Sequence, residues 1–210
     1  MSETALRILL ETRLVAVVRM SETRSLAPAM DALRRGGVRA LEITMTTPGA
    51  LDIIAELAAA KGPGDLVGAG TVLDAAAAGR ALDAGADFVV SPVLDADLIR
   101  ICRDRGALVA AGGLTPTEIQ SAWRAGADIV KVFPATAGPR YVRDLRGPFP
   151  SIRLMPTGGV TPDNAAEFVR AGACCVALGT ALLDDTLVRN GDWPALAGRA
   201  ARLVEALREA

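Results

Sequence analysis

Short apolar runs alternate along this chain with longer amphipathic stretches, and a glycine marks many of the junctions. One phrase recurs: R-R-G-G-V-R-A-L-E-I, D-A-G-A-D-F-V-V, D-R-G-A-L-V-A-A, R-A-G-A-D-I-V-K-V and R-A-G-A-C-C-V-A-L. Its glycines are Gly36, Gly85, Gly106, Gly126 and Gly172. A glycine just past an amphipathic run signals a helix C-terminus, and the following run of branched aliphatic residues reads as a strand buried on both faces. Neighbouring phrases lie about 20 residues apart, or about twice that, which is the length of one strand–helix unit or two.

Filling the intervals predicts strands at 14–18, 40–44, 66–69, 87–91, 107–110, 129–133, 153–155 and 174–178. The helices between them fall at 26–35, 50–60, 75–84, 96–105, 117–125, 141–146 and 162–171. Two more, at 181–189 and 195–208, close the chain, and an additional N-terminal helix precedes the first strand. Eight such units predict an α/β fold, a (β/α)8 TIM barrel forming a single domain over residues 1–210, with the extra helix plugging its floor. An open doubly wound sheet is the alternative. It calls for a dinucleotide loop, and the nearest match, Gly68-Ala69-Gly70, lacks the third glycine and the downstream acid.

Composition narrows the function. Apolar residues make up 51% and aromatic ones 3%, so the core is aliphatic. The net charge of -1, with no basic block, argues against nucleic acid and against an anionic membrane surface. No apolar run has the length of a membrane-crossing helix, and the acids in the first residues read as an amphipathic helix rather than a signal peptide. Cys102, Cys174 and Cys175 have no C-x-x-C spacing. They are expected to be buried small hydrophobes in a reducing, cytoplasmic setting, with no metal. Histidine is absent, so acid–base work falls to Glu, Asp, Lys, Tyr, Cys or water.

Against that background Asp128–Pro134, D-I-V-K-V-F-P, stands out. Of 23 basic residues only Lys61 and Lys131 are lysines, and Lys131 sits inside an apolar strand. Burial favours the neutral amine, and arginine cannot serve as an amine nucleophile. The alternative is a lysine that reaches a strand end or pairs with a carboxylate. Active-site residues of such barrels lie at the carboxyl ends of the strands. Arg19, Glu42, Thr71, Pro92, Phe133 and the glycine pairs Gly112-Gly113 and Gly158-Gly159 all fall there, as does Gly179-Thr180. Alternation turns Glu42 away from Leu41 and Ile43, so a carboxylate facing the interior near Lys131 is either an ion-pair partner or a proton shuttle. Gly158-Gly159, before a helix opening at Thr161-Pro162, and Gly179-Thr180 offer free backbone N–H groups on adjacent strands, a phosphate-site pattern.

In this order E-I-T-x-T-x-P, G-A-G-T-V, S-P, K-V-F-P and P-T-G-G-V resemble the 2-keto-3-deoxy-6-phosphogluconate (KDPG) and 4-hydroxy-2-oxoglutarate (KHG) aldolase family, over residues 14–183. The resemblance implies a (β/α)8 class I aldolase acting on small keto acids and aldehydes, a homotrimer that needs no cofactor. It implies that Lys131 forms the Schiff base with pyruvate and Glu42 shuttles protons. Thr71, Pro92 and Phe133 would shape the pyruvate pocket, and Gly158, Gly159, Gly179 and Thr180 would hold the distal phosphate. Many members carry an arginine four residues after the glutamate, where this chain has Thr46, and Arg19 is assigned the carboxylate instead. The implied reaction is reversible cleavage of KDPG to pyruvate and D-glyceraldehyde 3-phosphate, with KHG or the phosphogalactonate analogue as alternative substrates. A phosphosugar isomerase or epimerase, or a non-catalytic barrel, would use the same fold without a covalent lysine.

Overall fold

Alternation along the strands divides the apolar residues between two cores. Leu41 and Ile43 join the layer between sheet and helices, whereas Ala40 joins the barrel interior. The computed structural model describes residues 2–19 and 25–210. Its strands are β1 (Leu14–Val18), β2 (Ala40–Thr44), β3 (Leu66–Gly70), β4 (Phe88–Val90), β5 (Leu108–Gly113), β6 (Ile129–Val132), β7 (Leu154–Pro156) and β8 (Val176–Leu178). All pair in parallel in the order β7-β6-β5-β4-β3-β2-β1-β8. A single bridge, Thr157 to Ala177, joins the two ends and closes the barrel.

The helices are α1 (Ser2–Thr12), α2 (Leu26–Arg35), α3 (Ala50–Ala60), α4 (Ala75–Asp83), α5 (Ala96–Asp104), α6 (Pro116–Ala125), α7 (Gly138–Arg146), α8 (Ala165–Arg170), α9 (Asp185–Asn190) and α10 (Trp193–Arg208). The sequence dictates their ends locally. At α6 the Thr115 hydroxyl accepts from the Glu118 N–H while the Glu118 carboxylate accepts from the Thr115 N–H, Pro116 opens the first turn, and Gly126 ends the helix at φ +100°. The Gly-Ala-Asp at 85–87 and again at 126–128 ties its unit to the one before. Asp87 and Asp128 accept from the N–H groups of Val67 and Val109, each on the preceding strand. The second lysine belongs to this scaffold: Lys61 Nζ donates to Asp87 Oδ1 at 2.5 Å and to Oδ2 at 2.6 Å.

Helix α1 occupies the floor. Ala5 and Leu9 are buried against interior residues such as Val15, Phe88 and Met155, as the plug predicted from the sequence requires. The opposite, carboxyl end is thereby left as the mouth.

Several boundaries depart from the expectations. β5 runs three residues further, through Gly112 and Gly113, because an interior strand tolerates glycines that a sequence reading takes for a turn. β8 begins at Val176, since Cys174 lies in a bend before the ladder. α8 opens at Ala165, not at Pro162: the Asn164 side chain accepts from Thr161 N and donates to Gly159 O, which holds a turn ahead of the helix. After β8 the chain makes a turn in which Leu182 N and Leu183 N donate to Gly179 O, and α9 starts only at Asp185.

Candidate active site

Lys131 lies on β6 with Gly112 of β5 on one side and Met155 of β7 on the other. It is 5% exposed, and its Nζ stands 5.1 Å from the centroid of the Phe133 ring. Burial pulls its ammonium pKa down, Glu42 partly offsets this, and the Arg19 cation pulls it down further. The strand environment therefore favours the neutral amine.

Glu42, on β2, is 1% exposed, and neither carboxylate oxygen has a hydrogen-bond partner among the described residues. Burial pushes its pKa up, against the pull of Lys131 and Arg19. A buried carboxylate without a partner is costly, which makes Glu42 a candidate functional group. No ion pair within 4.0 Å joins Glu42 to Lys131. The two groups influence each other across the interior without touching.

Backbone geometry makes the room. A side-chain carbon on Gly70 would overlap the Glu42 carboxylate, so β3 must carry glycine there. A side-chain carbon on Gly112, next to Lys131, would overlap the carbonyl of Pro92, so glycine lets the loop after β4 pack directly on β5. Thr71 follows β3 at φ +56°, a left-handed conformation unusual for a β-branched residue, and is half-buried. Residues held in this way concentrate at functional sites.

The remaining candidates collect on the same rim. Pairing of Val18 with Ile43 puts Arg19 beside Thr44, at the mouth, with its side chain exposed. Phe133 is 40% exposed, and a side-chain carbon on Gly158 would press against its ring edge. The N–H groups of Gly159 and Thr180 donate to no acceptor among the described residues, whereas that of Gly158 belongs to the Thr157–Ala177 bridge. The helix openings expected at Pro162 and Ala181 are replaced by turns, so these N–H groups stand on loops rather than on helix ends.

Two features escaped the sequence reading. Thr44, fully buried, shares hydrogen bonds at 3.1 Å with the hydroxyls of Thr46 and Thr47, a polar cluster at the end of β2 above Glu42. Thr157, buried at the end of β7, places a further hydroxyl beside the barrel seam. The signal was present in both places, as hydroxyls at the carboxyl ends of strands.

A parallel barrel with an uncharged-leaning lysine and an unpartnered carboxylate at its one open end has the form of a barrel enzyme. The pattern described as "KDPG and KHG aldolase" matches residues 6–198, and the chain belongs to this family of lyases. It is 37% identical over 185 residues to the 2-dehydro-3-deoxy-phosphogluconate aldolase of Pseudomonas aeruginosa, covering 87% of this chain and 84% of that one. It is 34% identical over 200 residues to the 2-dehydro-3-deoxy-6-phosphogalactonate aldolase of Escherichia coli, covering 94% and 95%. A solved structure of KDPG aldolase from Legionella pneumophila, with pyruvate captured as a covalent carbinolamine, superposes with a TM-score of 0.86 at 25% identity, over 94% of this chain and 97% of that one.

Proposed function

We propose that this chain is a class I aldolase that reversibly cleaves KDPG to pyruvate and D-glyceraldehyde 3-phosphate, through a Schiff base on Lys131 and without a cofactor. The observation that carries the reading is the buried lysine, shifted toward its neutral form, facing a carboxylate with no partner of its own. Residues 1–210 act as one catalytic domain.

Lys131 Nζ attacks C2 of the keto acid, and the carbinolamine loses water to give a protonated imine. Glu42, directly or through a water, takes the proton of the C4 hydroxyl. The C3–C4 bond breaks, its electrons enter the imine as an enamine, and the aldehyde leaves. Glu42 returns a proton to C3, and hydrolysis of the imine frees pyruvate and Lys131. Arg19 holds the substrate carboxylate and, by its charge, adds to the burial that lowers the Lys131 pKa. Thr71, Pro92 and Phe133 bound the pyruvate pocket. The N–H groups around Gly158, Gly159, Gly179 and Thr180 receive the distal phosphate.

Backbone N–H donors at that end also suit a carboxylate, which supports hydroxyoxoglutarate as a second substrate, and the phosphogalactonate analogue differs from KDPG only in configuration at C4. Turnover of phosphorylated against unphosphorylated keto acids separates these readings. Borohydride reduction with pyruvate is expected to add mass at Lys131. An adduct elsewhere, or none, overturns the Schiff-base assignment.

The chain is further proposed to work as a cytoplasmic homotrimer. Leu73, Val93, Leu94 and Leu114 are exposed on three successive loops, after β3, β4 and β5, and form an apolar rim suited to a second copy. Light scattering of the purified protein tests this, with a monomer as the contrary result.

A further inference from the structure

We infer that Cys174 and Cys175 form a two-thiol site, at the floor of the barrel, that captures monosubstituted trivalent arsenicals as a cyclic dithioarsenite. The inference does not depend on the proposed aldolase chemistry, since the pair lies at the amino end of β8, opposite the mouth.

The two sulfurs are 3.7 Å apart although they belong to adjacent residues, because Cys174 sits in a bend rather than in the ladder. Trivalent arsenic keeps a lone pair and is pyramidal, so two sulfurs bonded at about 2.3 Å and roughly 95–100° lie about 3.4–3.5 Å apart. Side-chain rotation of a few tenths of an ångström brings the pair to this spacing. Among the described residues no group of three His, Cys, Asp or Glu side chains could hold a metal ion, so the pair has no third ligand for zinc. It fits a centre that brings its own third substituent, as an aryl- or alkylarsonous acid does.

The surroundings activate one thiol. Arg153 is fixed by donating to Asp128 O at 2.6 Å and by stacking 5.3 Å from the centroid of the Trp123 ring. The hydrogen bond from Cys175 and the Arg153 cation hold the Cys174 pKa below the usual thiol range, against burial, while the same hydrogen bond and burial push Cys175 up. Cys174 is half-buried at the edge of the interior cluster, as are Leu6 and Ile8 of α1, and Cys175 is buried within it. The thiolate attacks arsenic first, and the neighbouring Cys175 closes the ring as an intramolecular step. In balance, R–As(OH)2 and two thiols give R–As(S)2 and two waters. Two As–O bonds break, two As–S bonds form, each thiol proton leaves with one hydroxide as water, and arsenic stays trivalent, so no oxidant is required.

Cys102 serves as an internal control: burial, with Asp128 nearby, pushes its thiol up to about 12. Intact-mass spectrometry of the folded chain with a small excess of phenylarsonous acid is expected to show one adduct, with loss of two waters, and peptide mapping to place it on Cys174–Cys175. A dithiol should reverse it and a monothiol should not. Cys174→Ser and Cys175→Ala should each abolish it, and Cys102→Ser should leave it intact. Mapping on the unmodified chain decides the matter even if a variant fails to fold. An adduct on Cys102, a two-thiol adduct that survives either variant at the pair, or labelling only after denaturation overturns the inference.

Discussion

Gly70 of β3 gives up the space of a side chain to the carboxylate of Glu42 on β2. The catalytic candidate is thus positioned by what its neighbour lacks. Gly70→Ala is expected to displace the carboxylate and lower kcat by roughly 100-fold, the scale of a small misplacement of a reacting group. Steady-state kinetics check this, and circular dichroism should show the barrel retained.

Glu42→Gln separates imine formation from proton transfer. Borohydride trapping of pyruvate on Lys131 should still reach one adduct per chain, while aldol cleavage falls by roughly 10²–10⁴-fold. Loss of trapping together with cleavage would give Glu42 a role in forming the imine as well.

The charges facing Lys131 set a pH dependence with a definite sign. Burial and Arg19 lower its pKa, so the neutral amine accumulates as pH rises through a value below that of an ordinary lysine. Arg19→Ala removes a cation that disfavours the ammonium, so the Lys131 pKa rises. The ascending limb of kcat/KM against pH should move to higher pH in this variant. A shift the other way would show that Arg19 does not act on Lys131 through its charge.

Stability carries the mirror image of this activity. The folded pKa of Glu42 lies above its unfolded value, so the native state loses stability as pH rises from the ordinary carboxylate range through the raised value. The stability advantage of Glu42→Gln over wild type should therefore widen across that interval and level off above it, as urea melts at stepped pH would show.

Leu9 tests the floor. Leu9→Ala leaves a cavity beneath the interior and should destabilise the protein by about 2–5 kcal/mol in denaturant titrations, with KM unchanged because the mouth is distant.

The sequence made much of this architecture readable because the repeat is local. The glycine-punctuated phrase, with the intervals filled from it, locates α2, α3, β1 and β2 to the residue, and the plug follows from the amphipathic first turns. It failed where local signals conflict with tertiary ones. Gly112-Gly113 reads as a turn, yet close approach of the Pro92 loop demands glycine inside a strand. Cys174-Cys175 reads as strand, yet the chain bends there. Pro162 reads as a helix start, yet Asn164 holds a turn three residues longer by hydrogen bonds that no periodicity reports. At the site, Lys131 and Glu42 were legible because charges inside apolar runs are conspicuous. The Thr44–Thr46–Thr47 hydroxyls were not, since threonine is ordinary in a strand and only their mutual hydrogen bonds distinguish them.

The lone bridge between Thr157 and Ala177 leaves β7 and β8 the least stitched neighbours in the barrel. The loops proposed to grip the far end of the substrate continue from these two strands. On the proposed reading, the fully laddered strands carry Lys131 and Glu42, and the pair joined by a single bridge carries the loops that meet the part of the substrate that varies.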